Sequence, residues 1–183
     1  MSKHYSDIDL IAGIKNKNTC NFYFNHLVKK YQERLYWHIR RMVIIHEDAD
    51  DIIQQVFVKA WKGIHQFRED SQLYTWLYRI ATNETITFIN QKKKKDFLSA
   101  EGLTEKLSNS LESDDYFTGD EIQLKLQRAI LTLPEKQRMV FNMKYFEDMK
   151  YSDMSAILNT SEGGLKASYH HAVKKIEEYL TNN

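Results

Sequence analysis

Cations, amides and aromatic rings occur together in residues 65–95, in the combination that single-stranded nucleic acids require. Aromatic rings stack on bases, cations neutralise the phosphate backbone, and amides form hydrogen bonds to base edges. Here the cations are Arg68, Arg79 and the four lysines Lys92–Lys95, and Asn83 supplies an amide. The segment therefore predicts a surface for melted nucleic acid. The alternative is that its aromatic rings belong to a hydrophobic core.

A helix-turn-helix pattern extends from Tyr151 to Val173. Asn159 stands at the turn, where a left-handed backbone is needed and Asn is the best choice after Gly. Ser161 can cap the second helix, and Glu162 suits its first turn because carboxylates are favoured there. The outward face of this helix carries Gly164, Lys166, Ala167, His170, His171 and Lys174. A plain helical hairpin is the alternative, but the turn, the cap and the basic face favour insertion into a DNA major groove.

The segment 50–62 predicts an amphipathic helix with an unusual polar face. That face carries Asp51, Gln54, Gln55, Val58 and Lys62. An apolar residue interrupts it and uncharged amides flank the interruption, whereas a solvated face usually carries more charge. The pattern predicts a surface that docks on another protein, although single exposed apolar residues are common.

Catalytic signatures are absent from the sequence. It has no glycine-rich phosphate loop, no His-Glu-x-x-His and no Gly-x-Ser-x-Gly. The run His46–Asp51 could hold a metal, but carboxylates at a helix start also cap the helix and favour its dipole, and we prefer that interpretation. His170 and His171 are adjacent and face different sides of a helix. We therefore expect no catalytic residue, no metal and no cofactor.

The composition predicts a helical protein. The chain has 183 residues, of which 42% are hydrophobic, and contains only one Pro and six Gly. Apolar residues at helical spacing predict helices over residues 7–14, 24–42, 49–64, 73–88, 122–131, 134–145, 152–158 and 162–180. On this pattern Trp76 belongs to the core.

The same sequence predicts a cytoplasmic protein. Cys20 is the only cysteine, so an intramolecular disulfide is excluded and a reducing compartment is the natural setting. The N-terminus lacks the layout of a signal peptide, and no apolar run is long enough to cross a bilayer.

Charge divides the chain into three segments. Residues 1–96 carry a net charge of +5, residues 97–121 carry −6 and residues 122–183 carry +2. The acidic segment contains four serines and no sustained apolar period, which predicts a flexible linker. We expect the two flanking halves to move independently in the free protein.

Long stretches of the sequence resemble the extracytoplasmic-function (ECF) subfamily of bacterial RNA polymerase sigma factors. Asp48–Trp61, followed by Phe67-Arg68, Thr75–Ala81 and Asn83, is similar to region 2 of that family, and Leu133–Phe141 with the helix-turn-helix looks like region 4. The resemblance covers nearly the whole chain apart from the acidic segment and the extreme N-terminus. It implies an all-α protein with two small helical domains, 1–96 and 122–183, joined by a flexible linker over 97–121.

In that family, region 2 binds the polymerase core and melts the −10 promoter element, and region 4 binds the −35 element. The resemblance therefore implies three sets of residues. The core-binding set is Asp51, Ile52, Gln54, Gln55, Phe57 and Val58. The −10 set, which includes the loop that captures a flipped-out base, is Phe67, Arg68, Glu69, Asp70, Ser71, Arg79, Asn83, Lys92 and Lys93. The −35 set is Ser161, Glu162, Gly164, Lys166, Ala167, His170, His171 and Lys174.

The implied function is promoter-directed initiation. Its partners are core RNA polymerase, duplex and melted promoter DNA, and an anti-sigma protein that inserts between the halves, without membrane insertion. The alternative is a helix-turn-helix regulator that acts without polymerase, which leaves the stripe around Val58 unexplained.

The sequence departs from the family in its reading helix and in region 2. Gly164, Ala167 and Ser168 stand where the family usually has Thr, Ser and Arg, and Thr82 stands where an Arg often follows Ile-Ala. We expect Ser168 to lack a phosphate contact and Gly164 to lack a side-chain contact. The candidates to compensate are His170, His171 and Lys174.

Overall fold

The computed structural model describes residues 5–96, 99–114 and 120–182. Within these ranges every regular element is a helix, which confirms the all-α fold class. The α-helices are α1 (Asp7–Lys15), α2 (Cys20–Val43), α3 (His46–Gly63), α4 (Leu73–Lys95), α5 (Ala100–Glu112), α6 (Glu121–Leu131), α7 (Glu135–Tyr145), α8 (Tyr151–Leu158) and α9 (Glu162–Asn182), with a 3-10 turn at Ile64–Gln66.

The N-terminal half is a bundle in which α2, α3 and α4 pack against one another and α1 packs on α2. Leu35 and Ile39 of α2, Val56 of α3 and Leu77 of α4 are completely buried at its centre. They are the apolar positions of the helical periodicity, so burial of these stripes explains why the three helices form where the pattern predicted them.

The C-terminal half is built from α6 to α9. Pro134 occupies the N-cap of α7, where its missing N–H costs nothing because the first amides of a helix have no partner within it. Ile130 of α6, Phe141 of α7 and Ala172 and Ile176 of α9 form a core of their own. The contacts of α9 with α6, α7 and α8 fix the position of the helix-turn-helix.

The two halves pack against each other, which contradicts the expectation that they move independently. α4 contacts α8, and α2 contacts α7. Met139, Met143, Met154 and Ile157 of the C-terminal half join the same hydrophobic core as the N-terminal bundle. Burial of four large apolar side chains across this boundary stabilises a compact arrangement.

The acidic segment, in which the sequence showed no sustained apolar period, contains the helix α5. Ser99 caps α5, its Oγ accepting a hydrogen bond from the backbone N–H of Gly102 at 3.1 Å. Leu103, Leu107 and Leu111 recur at four-residue spacing and are 4%, 3% and 0% exposed. Residues 97–98 and 115–119 of the expected linker lie outside the described residues. Its assignment as the boundary between two domains stays a prediction.

In the part of the chain that the structure describes, no helix is both long enough and apolar enough to cross a membrane.

Candidate nucleic-acid interface

The predicted helix-turn-helix is formed by α8 and α9. Asn159 ends α8 in the left-handed conformation, with φ 50° and ψ 45°. Ser161 caps α9, since its Oγ accepts a hydrogen bond from the backbone N–H of Gly164 at 3.2 Å. Met154 and Leu165 are buried between the two helices and the rest of the protein. The turn and the cap expected from the sequence are therefore confirmed.

The outer face of α9 is accessible along its length. All eight residues of the predicted −35 set are exposed: Ser161, Glu162, Gly164, Lys166, Ala167, His170, His171 and Lys174. Lys166 lies 4.0 Å from Glu162 and Lys174 lies 3.9 Å from Glu178, each one helical turn away along α9. Exposed pairs of this length contribute little to stability, so both ammonium groups can turn towards phosphates.

The loop between the 3-10 turn and α4 holds the centre of the predicted −10 set. Arg68, Glu69 and Asp70 are exposed, and Ser71 is half-buried. Glu69 has a left-handed backbone with φ 64° and forms an ion pair with Lys15 of α1 at 2.5 Å. The loop is thus tied to α1.

Phe67 differs from the rest of this set because it is a core residue. Its side chain is 7% exposed, and its ring lies 5.2 Å from the ring of Trp76, measured between centroids. Trp76 itself packs against the hydrophobic core, as the apolar stripe predicted. Phe67 therefore supports the loop from below and cannot stack on a base while the bundle is folded.

A cavity of about 650 Å³ opens beside this loop. Its walls include the loop residues Glu69–Ser71, Ile8 of α1, and Asp153 and Ala156 of α8. The volume falls within the range of small-molecule pockets, so a single nucleobase can enter it. The cavity combines carboxylate and hydroxyl acceptors with apolar surface.

The remaining −10 residues lie on α4 and divide into two groups. Arg79 and Asn83 are exposed four residues apart, so they share one face of the helix. Lys92 forms an ion pair with Asp48 of α3, and Lys93 forms one with Glu135 of α7 at 2.6 Å. Both lysines are half-buried. In this arrangement only the first group is presented to a nucleic acid.

The predicted docking stripe on α3 is exposed at four of its six positions. Asp51, Gln54 and Gln55 are exposed, and the apolar side chain of Val58 between them is 45% exposed. Phe57 is half-buried at the edge of the stripe.

Ile52 does not belong to this surface. It is 3% exposed and lies in the core of the bundle, so it supports the stripe without reaching a partner. Trp61 differs in the opposite sense. It is 36% exposed and meets the ring of Phe24 edge-on at 4.8 Å.

Of the two roles expected for the acidic run at the start of α3, interaction with the helix dipole and capping of the helix, the structure shows only the first. Glu47 and Asp48 lie in the first turn, where the helix dipole favours them. The N-cap is Ile45, and no side-chain capping bond is present, so the expected capping oxygens are not used. His46 is held by Tyr36 at 2.6 Å and Asp50 at 3.2 Å. Within the described ranges no group of three His, Cys, Asp or Glu residues is arranged for a metal.

Thr82 is buried, so it does not present a side chain to DNA. Its Oγ1 lies 3.0 Å from Nε2 of His38, and both side chains are 1% exposed. Burial, together with the smaller effect of the nearby Arg41 charge, lowers the pKa of His38 to about 4. His38 is therefore neutral at physiological pH.

A buried carboxylate joins the two halves beside this histidine. Glu147, in the loop after α7, is 7% exposed and lies 3.0 Å from Nη1 of Arg41 and 3.5 Å from Nη2 of Arg34. The hydroxyl of Tyr78 donates to its other oxygen at 2.9 Å. Burial raises the pKa of Tyr78, and the charge of Glu147 raises it further, so the phenol keeps its proton and remains a donor. No periodicity or motif in the sequence indicated this cluster.

Comparison with known proteins gives a consistent result for sequence and structure. A model described as Sigma-70 region 2 matches residues 27–95, and one described as Sigma-70, region 4 matches residues 123–176. The chain is 32% identical to the ECF RNA polymerase sigma factor SigW of Bacillus subtilis over 165 residues, covering 86% of this chain and 88% of that protein. It is 30% identical to the RNA polymerase sigma-H factor of Pseudomonas aeruginosa, covering 86% of each protein.

Two solved structures share the fold. One is CnrH in complex with the cytosolic domain of CnrY, with a TM-score of 0.71 and 22% identity, covering 97% of this chain and 98% of that one. The other is the sigma factor RpoE from Bartonella quintana in complex with the anti-sigma factor NepR, with a TM-score of 0.67 and 19% identity, covering 86% and 96%.

Proposed function

The chain belongs to the ECF family of RNA polymerase sigma factors, which direct promoter-specific initiation, and we propose which of its surfaces meets each partner. The exposed stripe of α3, comprising Asp51, Gln54, Gln55 and Val58, binds the polymerase core. The loop 68–71 with Arg79 and Asn83 binds the melted −10 element. The outer face of α9 reads the −35 element in the major groove.

The observation that carries this proposal is the cavity of about 650 Å³ beside loop 68–71. Extruding a base from a duplex costs a few kcal/mol, which only a fitted pocket can offset. Arg79 and Asn83 are exposed on α4, the helix that follows the loop, and supply a backbone contact and an amide for a base edge. A regulator that bound only duplex DNA would have no use for such a pocket.

We propose that Lys166 and Lys174 contact phosphates on either side of the groove. Gly164 and Ala167 leave the first turns of α9 without bulk, so the helix can approach base edges closely. His170 and His171 then provide polar contacts beyond those turns, where the family more often uses hydroxyl and arginine side chains.

We also propose that a protein inhibitor controls this chain, as the structure of the Bartonella quintana sigma factor with its anti-sigma factor suggests by analogy. Sigma factors are generally initiation factors without catalytic activity. We place this chain in the cytoplasm with the polymerase, and assign it no reaction or cofactor of its own.

Co-purification with core polymerase followed by run-off transcription on a genomic promoter library tests the function. The proposal expects comigration with the core and transcripts that start at defined sites. A protein that binds duplex DNA but neither comigrates with the core nor supports transcription is instead a helix-turn-helix regulator.

A further inference from the structure

Another cavity of about 650 Å³ lies between the helix of the acidic segment and the start of α7. Its lining comes from three parts of the chain: α5, Lys93 of α4, and residues 132–135 together with Arg138. No residue lines both this cavity and the one proposed for the −10 base. A concave site of this volume that mixes apolar and polar side chains is typical of small-molecule binding.

Arg138 is the unusual member of this lining. Its side chain is 4% exposed, and its Nε is enclosed without a hydrogen-bond partner among the residues that the structure describes. Burial lowers the pKa of Arg138, and the charge of Glu135 offsets only part of this effect. Glu135 itself forms an ion pair with Lys93 at 2.6 Å. A buried charge without its own counter-charge is strongly destabilising, so the guanidinium is poised to bind an anion.

The start of α7 adds a second feature that attracts anions. The first backbone N–H groups of a helix have no partner within it, and the helix dipole favours negative charge beside them. Pro134 at the N-cap makes no side-chain capping bond to these groups. Glu135 and Arg138 are three residues apart, so they share one face of α7, and both line the cavity. The helix terminus and the buried guanidinium therefore meet at one site.

The charges around the cavity select the class of anion. Lys93 and Glu135 neutralise each other, which leaves one buried cation, Arg138, and one exposed carboxylate, Glu105 of α5. A dianion such as phosphate would exceed the charge of the single cation and be repelled by Glu105. A monocarboxylate matches both the charge and the planar fork of a guanidinium. The buried side chains of Leu103 and Leu133 suit an apolar part of the same molecule.

We propose that this cavity binds a small organic monocarboxylate, whose carboxylate pairs with Arg138 and whose apolar part lies against Leu103 and Leu133. Because α5 supplies part of the lining, the bound molecule opposes local unfolding of this helix. The acidic segment thereby becomes responsive to a metabolite. This site goes beyond promoter recognition and does not depend on it.

Benzoate, benzamide and inorganic phosphate are the probes for the full-length protein. Benzoate and benzamide have nearly the same shape but differ in charge. NMR titration of the 15N-labelled protein follows the backbone amides of residues 132–138 and the Nε–H group of Arg138. We expect saturable shifts with benzoate and a dissociation constant of about 1 mM, which is ordinary for a ligand of this size. Benzamide and phosphate should bind at least about ten-fold more weakly, the equivalent of one lost charge-assisted contact.

Each contrary result of the titration removes a different part of the proposal. Equal binding of benzamide would show that the charge of Arg138 is not used. Equal binding of phosphate would overturn the restriction to a monoanion. The absence of saturable shifts with benzoate at ten times the expected dissociation constant would overturn the site itself.

Arg138→Met and Lys136→Met form a matched pair of variants. Each removes one positive charge from α7, but Lys136 is exposed and does not line the cavity. Arg138→Met should abolish the benzoate shifts and raise the melting temperature of the unliganded protein by about 3 °C, because an apolar side chain replaces a buried charge. Lys136→Met should change neither quantity. A lower melting temperature or loss of folding in Arg138→Met would show that the fold needs the guanidinium, which overturns its assignment to a ligand.

Trypsin cleavage after Lys106 of α5 tests the coupling to the acidic segment. At ten times its dissociation constant, benzoate should slow this cleavage about ten-fold, because only the folded helix completes the site. Arg138→Met with benzoate is the control, and its cleavage rate should not respond. An unchanged rate in the original protein, despite saturable benzoate shifts, would show that the ligand binds without stabilising α5.

Discussion

At the scale of single residues, two ionisable side chains are buried although no local sequence pattern predicts their burial. His38 lies on the apolar side of α2 and forms a hydrogen bond with Thr82. Glu147 lies in the interface between the two halves, where it pairs with Arg41. Both are buried by residues more than forty positions away along the chain. Local patterns cannot report such long-range burial, whereas they did report Asn159 and Ser161, whose roles depend only on neighbouring backbone.

Acid should destabilise the protein through His38. Its folded pKa is about 4, below the ordinary value of 6.5, so between these pH values the unfolded chain binds a proton that the folded chain rejects. Stability therefore falls as the pH drops from 6.5 to 4, by up to about 1.4 kcal/mol per pH unit from this group. The groups facing His38 are Tyr78 and Thr82 of α4 and Arg41 of α2.

Urea denaturation at pH 7 and pH 5 measures this effect. His38→Gln should reduce the difference in unfolding free energy between the two pH values, whatever its effect at pH 7. His46→Gln serves as the control, because the side chain of His46 is 61% exposed. Equal pH sensitivity in His38→Gln and the original protein would show that another group causes the acid response.

At the scale of helices, the sequence predicted the elements whose apolar periodicity is strong. α3 and α4 follow their stripes closely because one face of each is buried in the bundle. α5 was missed because Leu103, Leu107 and Leu111 are separated by acidic and polar residues that lower the mean hydropathy. Their burial depends on docking against α6, which no local pattern shows.

The stripe on α3 should tolerate charge without loss of stability. Gln54→Glu combined with Val58→Glu places two carboxylates on exposed positions, so the melting temperature should stay nearly unchanged. Affinity for core polymerase should fall, because an apolar contact and an amide are lost together.

Ile122→Glu combined with Gln123→Glu is the matched control on α6. It also replaces an exposed apolar residue and an exposed amide with carboxylates. We expect this control to bind the core normally. Unchanged core affinity of the α3 variant would remove the stripe from the core-binding surface.

The outer face of α9 should contribute mainly through phosphates. Replacing both Lys166 and Lys174 with Ala removes two exposed cations, and each phosphate contact contributes about 0.9 to the slope of log affinity against log salt. We expect the slope to fall by up to about 1.8 and all duplex sequences to bind more weakly by similar factors. Selective loss of one sequence would mean that these lysines read bases.

Lys17→Ala combined with Lys29→Ala loses the same charge from exposed positions in the N-terminal half. Fluorescence anisotropy on duplex DNA at several salt concentrations should show a salt slope for this control close to that of the original protein. The comparison separates local phosphate contacts from the effect of net charge.

At the scale of the whole molecule, the acidic segment forms ion pairs with both halves of the protein. Asp114 pairs with Arg40 of α2, and Glu112 lies 2.8 Å from Arg128 of α6. The charge segregation seen in the sequence is therefore partly neutralised within the chain. Composition alone could not show that the carboxylates of this segment have internal partners.

Docking of α5 should be visible to a protease. Lys106 lies within α5, beside the buried Leu107, and pairs with Asp96 at 2.6 Å. A helix must unfold locally before a protease can cut it, so trypsin should cleave the original protein slowly after Lys106. Leu107→Asp places a charge in an apolar contact and should release the helix, making this bond an early cleavage site.

Asn109→Asp adds the same charge to an exposed position of the same helix and should stay resistant. Because Glu147 and the side chains that it contacts, Arg41 and Tyr78, do not belong to α5, the Leu107→Asp protein should remain compact before cleavage. A globular chain of this length has a radius of gyration of about 16 Å, and small-angle scattering should give a value near this for both variants. Rapid cleavage after Lys106 in the original protein would show that α5 is not docked in solution. Expansion of the Leu107→Asp protein would show instead that docking of α5 is needed to hold the two halves together.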